Sequence, residues 1–179
     1  MGVVTRITSV ASNVLIGFIK GFAPLAGFNY GAGNLVRVWQ ATHKAMWWST
    51  LALFGFAAIC LLFDYDIMTA FVPESVEAIT IGQRGIIYAV IALTTFGVQA
   101  VINNYFLAVG KAKQGFVLSV FFQGLLYIPV LLIMKSIYGL EGVLLAPLPT
   151  DVIGLLIAWV LWKREEAAVY AGKLPAFNS

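Results

Sequence analysis

The stretch from Ile86 to Lys113, IIYAVIALTTFGVQAVINNYFLAVGKAK, constrains the fold more than any other. Its first two thirds are apolar and long enough to cross a bilayer as a helix. Yet they carry Thr94, Thr95, Gln99, Asn103 and Asn104. Hydrocarbon offers an amide no hydrogen-bond partner. Tyr88, Thr95, Gln99 and Asn103 fall at helical spacings and share one face. That face must look onto other helices or a wet cavity, so the rest of the chain is expected to wall it in.

Composition sets the class. Of 179 residues, 61% are hydrophobic and 11% charged, whereas a soluble domain carries about a quarter charged residues. The chain reads as an all-α, polytopic membrane helical bundle. Its net charge of +3 comes from cations in short loops between apolar spans, a mark of membrane topology rather than of nucleic-acid binding. Cys60 is alone, so neither an intrachain disulfide nor a cysteine-rich metal site is open to it. The N-terminus lacks the basic start, short apolar core and cleavage site of a secretory signal. No Walker-type glycine loop points to ATP. His43, the single histidine, has no partner at metal-binding spacing. No serine–histidine–acid set and no carboxylate pair lies within the spans. Neither an enzyme, nor a metal centre, nor an organic cofactor is expected.

Five stretches approach the roughly 20 residues needed to cross about 30 Å of hydrocarbon. They are 4–31, 45–63, 85–108, 115–135 and 141–162. Together they form one expected bundle over 1–163, with 164–179 as a cytoplasmic tail, a frayed extension of the last helix. If the 32–44 loop is inside, that side holds Arg37, Lys44, Lys111, Lys113, Lys163, Arg164 and Lys173. The other side holds Arg84 and Lys135, with Arg6 near the start, and the acidic Asp64, Asp66, Glu74 and Glu77. The positive-inside rule then places the C-terminus in the cytoplasm and the N-terminus outside. Trp47, Trp48, Trp159 and Trp162 fall near the inner interface. An outside N-terminus without a signal implies at least one span ahead of Met1, in a multi-pass protein of the cell membrane. The 64–84 loop is expected to carry a short amphipathic surface helix starting around Pro73–Glu77.

Within the spans the polar groups are amides, hydroxyls, a lysine and an aspartate, which suits binding and passage better than bond-making. Arg6, Asn13 and Lys20 are seven apart, with Ser9 nearly on their face. Charges at membrane depth usually face the bundle interior. The alternative is that Arg6 snorkels to the interface and only Lys20 is buried. Gly21, Pro24, Gly27 and Gly31 follow. Pro24 removes a backbone donor and is expected to kink the helix, while glycines allow close helix approach. A moving hinge and a well-packed bundle both fit. Asp151 lies about ten residues into the last span, roughly 15 Å deep. It is a proton or cation site, or a partner for Lys20, or a helix N-cap after the Pro147 and Pro149 entry. Gln123 and Tyr127 share a face, and either line the same cavity as Gln99 or make an interhelical hydrogen bond.

Three stretches carry a family resemblance. GFAPLAGFNYGA at Gly21–Ala32, followed by Val36-Arg37-Val38, resembles the "GxQPxxGxNYGA…RV" segment that closes the eighth helix of the multidrug and toxic compound extrusion (MATE) transporters. Ala108–Lys113 resembles the "ALGKAK" turn after their tenth helix. Tyr138–Val143, then Ala146-Pro147 and Asp151, resembles the "GLxGVxxAxPxAD" entry to their twelfth. The order and spacing agree along nearly the whole chain. The resemblance implies about five transmembrane helices, equivalent to helices eight to twelve of a twelve-helix antiporter. Helix seven and the N-terminal lobe of the same transporter would be the missing partner. Such proteins rock two lobes around a central cavity. The family's C-lobe cation site uses acidic residues of helices seven and ten, whereas the tenth-helix equivalent here has Thr94, Thr95 and Gln99 and no carboxylate. Lys20 and Ala23 stand where many relatives have glutamine, and a lysine there favours neutral or anionic cargo over cationic.

The expected activity is secondary active multidrug efflux at the cell (inner) membrane, an antiport of Na⁺ or H⁺ against amphipathic organic compounds. Asn13, Lys20, Thr95, Gln99, Asn103 and Gln123 are the expected substrate-binding face, Asp151 the ion-coupling group, and Gly21, Pro24, Gly27 and Gly31 the hinge. No cofactor beyond the coupling ion is expected. Two alternatives stand beside this reading. One is a lipid-linked saccharide flippase or polysaccharide exporter of the same superfamily. The other is a membrane scaffold subunit that does not transport.

Overall fold

A computed structural model of the chain describes residues 2–71, 76–120 and 124–170. These residues form seven helices: α1 (Gly2–Gly31), α2 (Leu35–Leu62), α3 (Asp64–Phe71), α4 (Val76–Ala108), α5 (Ala112–Val120), α6 (Tyr127–Leu145) and α7 (Pro147–Tyr170). Among the described residues, four helical stretches are long and apolar enough to span a bilayer: Gly2–Gly31, Leu35–Leu62, Ile79–Ala108 and Glu141–Val169.

The expected 115–135 span is described in part: α5 is described to Val120, residues 121–123 lie outside the described residues, a π-helical turn occupies 124–125, and α6 begins at Tyr127. Helix α6 then breaks at Gly139, whose φ of 60° and ψ of −130° suit only a residue without a Cβ. Beyond that break the backbone stays helical through Ala146 into α7, so Pro147 and Pro149 do not end the span that begins at Glu141. The surface helix expected near Pro73 also differs. Residues 72–75 lie outside the described residues, the short helix is α3, and Val76 already belongs to α4. Asp64 ties α3 to α4 by accepting from Gln83 Nε2 at 3.2 Å.

Two glycines set the turns after α1 and α4. Gly33 (φ 73°) follows α1 and Gly110 (φ 76°) follows α4. Asn34 N donates to Asn29 O at 2.9 Å and Gly33 N to Tyr30 O at 3.0 Å; Lys111 N donates to Phe106 O at 2.9 Å and Gly110 N to Leu107 O at 3.2 Å. Both are Schellman caps, which satisfy the last carbonyls and need a left-handed residue at the turn. Asn34 then caps α2, accepting from Arg37 N at 3.4 Å.

Helix α4 is the hub and packs against every other helix described. It crosses its neighbours closely because glycines lie at the crossings. A Cβ on Gly27 of α1 would stand 3.0 Å from the Ala108 carbonyl oxygen, and one on Gly97 would stand 2.9 Å from Leu53 of α2. The main core joins Leu15, Ile19, Phe22, Val38, Leu53, Leu93, Val101, Ile102 and Phe106. Outward, Val14, Phe28, Phe54, Leu62 and Leu156 are exposed, which suits a bundle solvated by lipid, where close packing rather than water exclusion joins helices.

Candidate functional site

Polar side chains of α1, α4 and α7 gather around two cavities between these helices, with Asn13 and Lys20 exposed. The larger, about 540 Å³, is lined by Thr5, Thr8, Ser9, Ser12 and Asn13 of α1, by Gly85, Ala89, Ala92 and Phe96 of α4, and by Tyr127, Val143, Leu144 and Pro147. The smaller, about 280 Å³, is lined by Leu15, Ile16, Ile19 and Lys20 of α1, by Phe96, Gln99, Asn103 and Asn104 of α4, and by Leu118 and Ser119 of α5. Phe96 and Asp151 line both. The cavities therefore lie in series along α1, with an aromatic ring and a carboxylate at the junction.

Asp151 is the fifth residue of α7, and Thr150 Oγ1 donates back to Ala146 O at 2.8 Å. The backbone is already helical before Pro147, so Asp151 sits inside a helix and the N-cap reading fails. Lys20 shares the smaller cavity with it but does not pair with it. The ion pairs among the described residues are Arg84–Glu141, Lys111–Glu165 and Lys163–Glu166.

Gln99 is 7% exposed. Its amide lies against Gly154 of α7, where a Cβ would stand 2.7 Å from Gln99 Nε2. A glycine at that turn of α7 is what lets the amide reach the level of Asp151. Asn103 Nδ2 donates to Ser119 Oγ at 2.9 Å. Gln99 Oε1 and Asn103 Oδ1 are buried and have no partner among the described residues. A buried polar atom without a partner calls for a water, an ion or a ligand. Gln99, Asn103 and Asp151 all line the smaller cavity, and amide and carboxylate oxygens are groups that hard cations and hydrogen-bond donors prefer.

The structure brings Asn13, Lys20, Gln99, Asn103 and Asp151 to the cavities. Thr95 lines neither; it is half-buried and its Oγ1 donates to Ala92 O at 2.8 Å. The cavity face of α4 runs through 85, 89, 92, 96, 99 and 103, so Thr95 stands one position off it. Gln123 lies outside the described residues, while Tyr127 lines the larger cavity. Arg6 is exposed and lines neither cavity. Helix α1 runs on through Pro24 to Gly31. Among the expected hinge glycines, Gly27 is pressed on Ala108, whereas Gly21 and Gly31 face open space.

One cluster lies beyond the sequence reading. Trp39 of α2, Tyr105 of α4 and Trp162 of α7 pack with ring centroids 4.1 Å (Trp39–Trp162), 4.9 Å (Tyr105–Trp162) and 5.7 Å (Trp39–Tyr105) apart. His43 Nδ1 donates to Trp39 O at 2.9 Å beside them. Trp162 is fully buried, whereas Trp47, Trp48 and Trp159 are exposed. Lys111 and Glu165 pair at the same end. These residues are far apart in sequence, and only the aromatic content of α7 hinted at them.

The MatE family profile matches residues 1–133. Two crystal structures of the Vibrio cholerae MATE transporter VcmN share the fold. A mutant form superposes with a TM-score of 0.84 at 18% identity, over 93% of this chain and 38% of that one. The bent form gives 0.83 at 18% identity, over 94% and 39%. The chain thus spans less than two fifths of the length of these transporters. No curated protein matches.

Proposed function

The chain belongs to the MatE family, and from that premise we propose that it is the C-terminal lobe of a secondary active transporter that exchanges Na⁺ or H⁺ for amphipathic organic compounds across the cell membrane. The lobe works with an N-terminal lobe of the same transporter, which supplies the opposite wall. The observation that carries this reading is Asp151 at the junction of the two cavities, with Gln99 and Asn103, whose buried amide oxygens have no partner among the described residues, lining the smaller one beside it. A cation or proton at Asp151 neutralises a charge deep in the bundle. That changes the relative stability of conformations open to one side or the other, which is how a bound ion drives alternating access. Amides and hydroxyls from Ser9 to Asn103 bind cargo by hydrogen bonds, and the apolar walls take its hydrophobic part.

The test uses the chain joined to its N-terminal lobe in proteoliposomes. Asp151→Asn is expected to abolish efflux driven by a Na⁺ or proton gradient and to leave ion-independent substrate exchange in place. Gradient-driven efflux at the wild-type rate would remove Asp151 from coupling. Lys20 in the smaller cavity favours a second reading within the same class, an exporter of neutral or anionic cargo such as a lipid-linked saccharide. Competition by an anionic against a cationic amphiphile of equal size separates the two.

A further inference from the structure

A second groove runs along a largely different face of α1, between α1 and α2. At its inner end it is lined by Gly17, Phe18, Gly21 and Leu25 of α1, and by Arg37, Gln40, Lys44 and Trp48 of α2, in a cavity of about 770 Å³. A neighbouring cavity of about 460 Å³ shares Phe18 and Trp48 with it and continues to Ala11 on α1 and Ile59 on α2. From Lys44 to Ile59 the crevice runs about 22 Å along the helix, longer than the roughly 15 Å of hydrocarbon in one leaflet.

Its chemistry is divided. The part away from the cations is apolar, made by Val14, Leu51, Leu53, Phe56 and their neighbours. The mouth carries Arg37, Gln40 and Lys44, at spacings of three and four on one helix face. No acidic residue lines either part. Arg37 and Lys44 take no part in the ion pairs among the described residues. The glycines here are not used for helix packing: a Cβ on Gly17, Gly21 or Gly55 would meet nothing within 4 Å, whereas Gly27 of the same helix is tight against Ala108. They leave the crevice open.

We propose that this groove holds a phospholipid with an anionic headgroup from the cytoplasmic leaflet. The guanidinium of Arg37 and the ammonium of Lys44 take the phosphate. Gln40 donates to its oxygens, Trp48 sits at the level of the glycerol ester, and one acyl chain lies in the crevice. Charge complementarity selects this occupant. An uncharged helix would fill the apolar part but leave two cations at the mouth without a counter-charge.

Native mass spectrometry of the chain joined to its N-terminal lobe, purified and equilibrated with phosphatidylglycerol or with phosphatidylcholine of the same acyl chains, tests this. The wild type is expected to retain phosphatidylglycerol preferentially. Arg37→Gln with Lys44→Gln is expected to lower that preference about tenfold or more. Lys113→Gln, on the same side but away from the groove, leaves it unchanged. Gly17→Leu with Gly21→Leu keeps both cations but fills the crevice, and is expected to lose both lipids. A preference that survives the double glutamine variant, or falls equally with Lys113→Gln, overturns the proposal. So does lipid retention unaffected by the leucines. A delipidated protein that is dimeric and becomes monomeric on Gly17→Leu assigns the groove to a second copy instead.

Discussion

Glu165 is 8% exposed and pairs with Lys111, fifty-four positions away in the chain, where α4 turns into α5. Removing one member of a buried pair leaves the other charge without compensation and costs about 3 kcal/mol. Glu165→Ala is therefore expected to lower the melting temperature in detergent sharply. Lys111→Ala with Glu165→Ala is expected to recover part of the loss, because no lone charge remains. An unchanged melting temperature for the single variant would mean that the pair does not close this end of the bundle. Glu165 also shows a limit of reading the sequence. The run KREEAAVY is polar and ends a span, so it reads as a frayed extension of the last helix; α7 does continue to Tyr170, but with Glu165 buried in it. Only the return of α4 to this level supplies the lysine that holds it.

The helices themselves were legible because each needs a long apolar run, and α1, α2, α4 and the Glu141–Val169 span all have one. What hydropathy did not reveal is where a backbone turns inside such a run, as at Gly139, since an apolar stretch looks the same whether straight or broken. Nor did it separate glycines that pack from glycines that do not. Gly21 and Gly27 both lie in α1 and both read as hinge residues, but their surroundings differ. At Gly27 an added methyl meets a backbone carbonyl at 3.0 Å, so Gly27→Ala forces α1 away from α4 and is expected to destabilise. At Gly21 it meets open space, so Gly21→Ala removes only the entropy penalty of glycine in a helix and is expected to stabilise by up to about 1 kcal/mol. Melting temperatures of the two variants read this directly. Equal losses would restore a shared hinge role. The cavity face of α4 was legible at Gln99 and Asn103, but not at Thr95. Residues three and four apart are both candidates for one face, and only packing chooses between them.

Taken whole, the molecule offers a polar path along α1 that changes character at one level. Asn13 lines the larger cavity and Lys20 the smaller, with Phe96 and Asp151 common to both. Seven residues of helix separate the two positions by about 10 Å, enough to place them on opposite sides of a closed junction. If the lobe alternates access through this junction, water should reach one side while it is shut off from the other. The check uses the transporter with both lobes and a Cys60→Ala background, since the buried Cys60 is the chain's single cysteine. Asn13→Cys is expected to react with a membrane-impermeant thiol reagent from outside, and Lys20→Cys from the cytoplasmic side, in conformations that exclude each other. An imposed ion gradient should raise one rate as it lowers the other, because the gradient acts by shifting the population between the two. Rates that rise and fall together would mean one continuous pore rather than an alternating site. A Lys20→Cys that never reacts would take the lysine out of the path, leaving Asp151 as the charge that faces it.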